Sequence, residues 1–206
     1  MSGGRRIAWV LLGAVAFGVL VAVVKGQEAD VRNVIGNMSA PWVVPPFLAG
    51  LAFPRLWRGA LVGVLATEVA FLAFYVAEAM ILDLGPHPWY VDLQLTVGTL
   101  YIYETLGLVS GAAYGALGAL FASTRSGLVA ASVGAAFVAE PLIVWAMWKG
   151  SVWGGPGILA YPALWIGEVA VGAALVGLAY VLARRGRPRV DAAKAARTAT
   201  ATTGSS

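Results

Sequence analysis

The chain has 206 residues, of which 60% are hydrophobic and 12% charged, with a formal net charge of +4. Soluble domains carry about 25% charged residues, so this composition leaves too little polar surface to cover a water-exposed globule. Lipid is the remaining solvent, and there every backbone N–H and C=O must be paired within the element, which admits helices and closed barrels alone.

The apolar runs are long and continuous, without the alternation of a barrel strand, and mean hydropathy is +0.81. The expected fold is therefore all-α: a polytopic membrane protein with a six-transmembrane-helix bundle. Cysteine is absent, which excludes disulfides, thiol catalysis and cysteine metal sites. His87 is the one histidine, which excludes zinc sites built on two histidines from one chain. There is no Walker-type phosphate loop and no Ser/His/Asp set.

In chain order the predicted spans are Ile7–Val24, Met38–Phe53, Gly59–Leu82, Thr99–Ala122, Leu128–Trp148 and Tyr161–Ala183. Residues 1–185 form the transmembrane domain. Residues 186–206 are Ala/Thr/Ser-rich, lack an apolar face, and are expected to be a disordered cytoplasmic tail. Arg5 and Arg6 before the first span imitate a signal peptide. The apolar stretch is too long, however, and no small-x-small cleavage site follows, so the segment reads as a retained helix.

The second span is short and has Pro41, Pro45 and Pro46 near its start. Proline is tolerated in a first helical turn and breaks an interior. A short span with an irregular outer end is predicted, and a re-entrant half-helix is the rival.

Charge sets the orientation. With the N-terminus inside, the inner side holds Arg5, Arg6, Arg55, Arg58, Arg125, Arg184, Arg185, Arg187, Arg189, Lys194 and Arg197. The outer side holds Lys25, Arg32 and Lys149. Eleven basic residues against three put both termini in the cytoplasm and ask for an even number of crossings. Trp42, Trp89, Tyr90, Trp148, Trp153 and Tyr161 fall near the outer boundary, with Trp9 and Trp57 near the inner one, as in an aromatic belt.

The residues that could carry chemistry are glutamates inside the apolar segments: Glu68, Glu78, Glu104, Glu140 and Glu168. An acidic side chain at a helix centre costs roughly 2.5–3.5 kcal/mol on insertion scales, so these should face the bundle or a wet cavity. Counting helical rise from the outer ends, Glu78 lies ~6 Å deep, Glu104 ~9 Å, and Glu140 and Glu168 ~12 Å, with Glu68 near the midplane. Four helices thus bring a carboxylate to a similar level. Lys25 is the one cation near them. A shared site would hold protons, a metal ion or a cationic ligand; the alternative is separate, individually hydrogen-bonded glutamates.

Helical faces support an inward orientation. Glu104, Gly107, Gly111, Gly115 and Gly118 share a narrow stripe, and small-xxx-small stripes let helices approach closely, within one chain or between copies. Glu68, Tyr75 and Glu78 fall within about 80° on the third helix. Tyr161, Glu168 and Gly172 cluster on the sixth.

Val76-Ala77-Glu78-Ala79-Met80-Ile81 matches Val138-Ala139-Glu140-Pro141-Leu142-Ile143 at four of six positions. Glu104 follows Glu78 much as Glu168 follows Glu140, so duplicated helix hairpins are a candidate organisation.

Asp83, His87 and Asp92 share an outer loop and could ligate a metal, although a solvated loop explains them as well. Asn37-Met38-Ser39 fits a glycosylation sequon that is common by chance. The basic ends fit topology and anionic lipid and give no support for nucleic acid.

The segment Ile35-Gly36-Asn37-Met38-Ser39-Ala40-Pro41-Trp42-Val43-Val44-Pro45-Pro46-Phe47-Leu48-Ala49-Gly50 is followed by Arg58-Gly59-Ala60-Leu61-Val62-Gly63. With Phe74-Tyr75, Gly111-Ala112-Ala113-Tyr114-Gly115 and Ala139-Glu140, it resembles a domain-of-unknown-function family of small actinobacterial membrane proteins. The resemblance runs from Lys25 to Ala183 on short hydrophobic motifs. It implies a six-helix membrane protein and brings no activity or catalytic residues. Size and span count are also similar to the substrate-binding components of energy-coupling-factor vitamin transporters, as a fold-level analogy.

Three functions compete. The first is binding or transport of a small cationic solute or protons through Glu78, Glu104, Glu140 and Glu168, with Glu68 and Tyr75. The second is a non-catalytic scaffold or accessory subunit, partnered by another membrane subunit or by its own copies. The third, an enzyme, lacks a nucleophile, a metal triad and any cofactor motif, so no enzymatic role and no cofactor are expected.

Overall fold

Helix α1 (Gly3–Lys25) carries no charge between Arg6 and Lys25, and Gly26, at φ +61°, ends it. Its last carbonyls would be orphaned in an apolar setting. Arg32 reaches back to them, donating to the Val23 carbonyl at 2.8 Å and the Val24 carbonyl at 3.1 Å. The computed structural model describes residues 3–26, 30–82, 88–91, 93–94, 101–149 and 161–203. Asp83, His87 and Asp92 lie outside the described residues.

The second span is built in pieces. Short helix α2 (Val31–Gly36) is capped by Asp30, whose carboxylate accepts from the Arg32 N–H at 2.8 Å. Both ends of α2 stay at the C-terminal end of α1, with Arg32 on Val23 and Val24 and Gly36 against Lys25. After a break at 37–39, a 3-10 turn (Ala40–Val43) leads into α3 (Val44–Leu51). This stretch runs antiparallel to α1: Trp42 lies beside Phe17, Ala49 packs with Ala14, and the Ala52 carbonyl accepts from Arg6. A re-entrant half-helix would have turned back; this segment continues to the N-terminal end of α1. The prolines explain the irregularity, because Pro41, Pro45 and Pro46 each withhold an N–H.

Helices α4 (Leu56–Leu82), α5 (Tyr101–Thr124), α6 (Gly127–Lys149) and α7 (Pro162–Thr203) complete an all-helical bundle with no strand among the described residues. Six segments are long and apolar enough to cross a membrane. The solvent argument is visible in which side chains point outward. Leu12, Leu61, Leu72, Leu106, Val109, Leu142 and Ile166 are exposed, while Ala14, Ala49, Ala66, Ala70 and Ala119 are buried. Water would penalise such a surface; lipid does not, and small residues inside let helix backbones approach.

Each glycine of the α5 stripe faces another helix of the same chain. A Cβ on Gly115 would lie 2.8 Å from the Gly63 Cα, and one on Gly118 3.1 Å from the Gly50 Cα. One on Gly111 would lie 2.7 Å from the Thr67 hydroxyl, and Gly107 accommodates the Phe71 ring. The stripe seats α5 on α4 and α3, and so serves a contact within the chain.

Helices α6 and α7 pair chiefly with each other. Gly134 and Gly172 oppose each other so closely that a Cβ on either would lie 2.5–2.7 Å from the other's carbonyl oxygen. This hairpin joins the rest through Val133 and Phe137, which pack on Ala40, Val43 and Phe47 with Tyr114, Leu117 and Phe121.

Two expectations change. The helix α7 continues to Thr203, through most of the stretch 186–206 that was expected to be disordered. Its residues beyond Val190 are rich in alanine with Lys194 and Arg197, all strong helix formers, and a helix already under way needs no new nucleus. Trp42, expected in the outer aromatic belt, instead packs among Phe17, Phe71 and Phe74, with ring centroids 4.5–5.5 Å apart. The 3-10 turn directs it inward toward α1 and α4.

Candidate functional site

The five intramembrane glutamates fall into three settings. Glu78, near the C-terminal end of α4, forms an ion pair with Lys25 at the end of α1. Glu78 is only 6% exposed. The two helices run side by side in the same direction, with Gly18 against Ala70 and Phe74, so the residues one to two turns further on meet. The Lys25 ammonium also stands 5.4 Å from the Phe74 ring centroid, a second favourable contact for a cation held away from water.

Glu140 on α6 reaches the broken second span. The backbone N–H of Ser39 donates to one of its oxygens and that of Ala40 to the other. These N–H groups start the 3-10 turn and have no partner within it, so Glu140 acts as an N-terminal cap supplied from another helix. A carboxylate there also meets the positive end of the helical dipole. Pro141 follows immediately and cannot donate to the Phe137 carbonyl, which loosens α6 at this turn.

Glu168 on α7 lies against Glu140, within hydrogen-bonding reach. The Gly134–Gly172 crossing fixes this register, since one to two turns from it on each antiparallel helix places 140 opposite 168. Glu168 is 4% exposed, and among the described residues neither of its oxygens has a hydrogen-bond donor. Three residues earlier on the same face, Trp165 is 9% exposed and its indole N–H is likewise buried without an acceptor.

Glu68 on α4 and Glu104 on α5 share one opening between the two helices. They line a cavity of about 300 Å³ together with Val69, Phe71, Leu72 and Tyr75. One oxygen of Glu68 is buried without a hydrogen-bond partner. Phe71 and Tyr75 stack with centroids 6.0 Å apart and form an aromatic wall. A smaller cavity of about 140 Å³ between α1 and the second span, lined by Leu20, Val21, Val24, Ile35, Met38, Pro41 and Trp42, holds no ionisable group. Among the described residues, no group of three His, Asp or Glu side chains is arranged to hold a metal ion.

The structure therefore brings Glu140 to Glu168 and Glu68 to Glu104 and Tyr75, and gives Glu78 to Lys25. The hairpin repeat does not extend to these partners, because Glu78 and Glu140, which the sequence aligns, take unrelated ones. Sequence reading missed the Ser39 and Ala40 N–H groups and Trp165. The prolines signalled a break near Ser39, and the i, i+3 spacing of Trp165 and Glu168 was a readable signal. Comparisons with protein-family models, curated proteins and solved structures found no match to this chain.

Proposed function

We propose that this chain is a non-catalytic, multi-pass protein of the bacterial cytoplasmic membrane, with both termini cytoplasmic, that binds or transports a small organic cation at Glu68 and Glu104. The observation that carries the reading is the cavity between α4 and α5. It combines two carboxyl groups, one with a buried unpartnered oxygen, and an aromatic wall from Phe71 and Tyr75. Its volume of about 300 Å³ falls at the small end of ligand sites, the range for a compact amine or quaternary ammonium. Carboxylates attract such a cation, and aromatic faces within about 6 Å add cation–π attraction of ~0.5–2 kcal/mol. Among the described residues, no Arg or Lys lines the cavity, which leaves the charge to a ligand.

The test is a thermal-shift screen of primary amines and quaternary ammonium ions on the purified chain and on Glu68→Gln and Glu104→Gln. The expected result is stabilisation of the wild type by a subset of these cations and its loss in both variants. Equal stabilisation of wild type and variants would overturn the reading. A scaffold or accessory subunit is the second reading. It is favoured by Glu78 and Glu140, which are spent on an ion pair and a backbone cap inside the bundle.

A further inference from the structure

We propose that Glu140 and Glu168 form a proton-binding site, occupied by one exchangeable proton carried on Glu168, at the joint between the α6–α7 hairpin and the broken second span. The proposal is independent of the cation cavity. It rests on which atoms donate and which accept.

Both oxygens of Glu140 accept backbone N–H groups, one from Ser39 and one from Ala40. A neutral carboxyl group would turn a hydroxyl toward one of those donors, so Glu140 fits the site as the anion. Glu168 faces it within hydrogen-bonding reach and receives no donor at either oxygen. Two anions in contact, one of them stripped of every hydrogen bond, are not sustained in an apolar interior. A proton on Glu168 resolves both problems, because Glu168 then donates to Glu140 and the pair carries a single negative charge. That charge is met by the two N–H groups at the start of the 3-10 turn.

Among the described residues, the surrounding elements offer no substitute. From α6 the titratable group facing Glu168 is Glu140, and from the 3-10 turn come backbone N–H groups alone. Among the described residues Lys25 is committed to Glu78, and Arg32 to the end of α1.

Trp165 supplies the independent observation. Its buried indole N–H has no acceptor, and it lies one helical turn from Glu168 on the outer side, on the same face. A water molecule accepting from Trp165 and exchanging a proton with Glu168 satisfies the indole, the free carboxyl oxygen and the route by which the proton comes and goes. Loss of the proton sets two like charges against each other where the hairpin meets the second span. Proton binding is thereby linked to the seating of α6 and α7.

The experiment is infrared difference spectroscopy of the full chain in lipid nanodiscs, stepped from mildly acidic to alkaline buffer, in H2O and D2O. The wild type should show a protonated-carboxyl stretch that shifts in D2O and disappears at alkaline pH. One component should be missing in Glu168→Gln, whose amide can still donate to Glu140, and retained in Glu78→Gln and Glu68→Gln. A wild-type spectrum with no such stretch overturns the proposal without recourse to any variant. A spectrum unchanged in Glu168→Gln also overturns it. Sodium, potassium or ammonium ions that raise the melting temperature in wild type and not in Glu168→Gln would assign the site to a cation instead, and so would overturn it too.

Discussion

Lys25 and Glu78 form an ion pair that ties the C-terminal end of α1 to the C-terminal end of α4, 53 residues away in the chain. The pair consumes the one cation that the sequence offers to the glutamates, and it removes Glu78 from any shared acidic site. Lys25 is also the residue on which Gly36 rests, so the same side chain fixes where the second span begins.

Removing one member of this pair should cost far more than removing both. Lys25→Met leaves a buried carboxylate unpaired, and a loss of about 3–5 kcal/mol is expected. The double variant Lys25→Met/Glu78→Met should recover most of it, because a well-packed apolar pair is often neutral by comparison. Denaturant unfolding in detergent checks this as a double-mutant cycle. A Lys25→Met protein as stable as the wild type would show the pair to be solvated.

The glycine contacts should be sharply position-dependent. Gly115→Ala puts a Cβ into the Gly59 carbonyl and is expected to cost about 1–3 kcal/mol by overpacking. Gly111→Leu and Gly115→Leu should separate α5 from α4 altogether. Gly167 and Gly177 have nothing within 4 Å of the corresponding Cβ, so Gly167→Ala and Gly177→Ala should be tolerated. Melting temperatures of the five variants in one detergent decide the matter, and equal loss at all five would contradict these assignments.

The turn between α5 and α6 holds a residue in an unfavourable conformation. Arg125 has φ +54°, in the left-handed region where an L side chain is disfavoured by about 1 kcal/mol. Its N–H donates to the Phe121 carbonyl and closes the helix, the position glycine usually takes. Arg125→Gly should therefore stabilise the fold by roughly 1 kcal/mol, and Arg125→Ala should not. The natural arginine then reflects something other than its backbone preference. Thermal unfolding of the two variants tests this, and a Gly variant less stable than the Ala variant would refute it.

Orientation is tested with reporters. Fusions after Arg125 or Arg185 should be active with a cytoplasmic reporter, and fusions near Asp92 or Gly154 with a periplasmic one. A cytoplasmic signal at Gly154 would contradict six crossings with both ends inside.

Much of the fold was legible because lipid imposes it. Span number, the small-residue stripe on α5 and the short second span all follow from local pattern. The partners of the glutamates were not legible, because each depends on a register between distant segments. Glu140 meets N–H groups 100 and 101 residues away, and only the packing of α6 on the 3-10 turn brings them together. Helical rise gave similar depths for four glutamates, but depth leaves the direction around the bundle open. Glu104 on α5 and Glu168 on α7 face different neighbours. Trp42 misled for the same reason: its position along the chain left open that it packs inward among Phe17, Phe71 and Phe74. The alanine-rich tail misled because composition that disfavours a packed core can still favour a helix.

The sparse connection of the last hairpin to the rest has a consequence for how the protein is made. Helices α1, α3, α4 and α5 close on one another through glycine and alanine contacts that need nothing from later sequence. They can assemble while α6 and α7 are still being synthesised. At that stage the Ser39 and Ala40 N–H groups and the Phe47 face stand uncovered toward lipid, and the carboxylate that satisfies them arrives with α6. Insertion of the final hairpin is therefore the step that completes the second span, and a chain stalled after Arg125 would expose to the cell's quality-control machinery an unsatisfied backbone within the membrane.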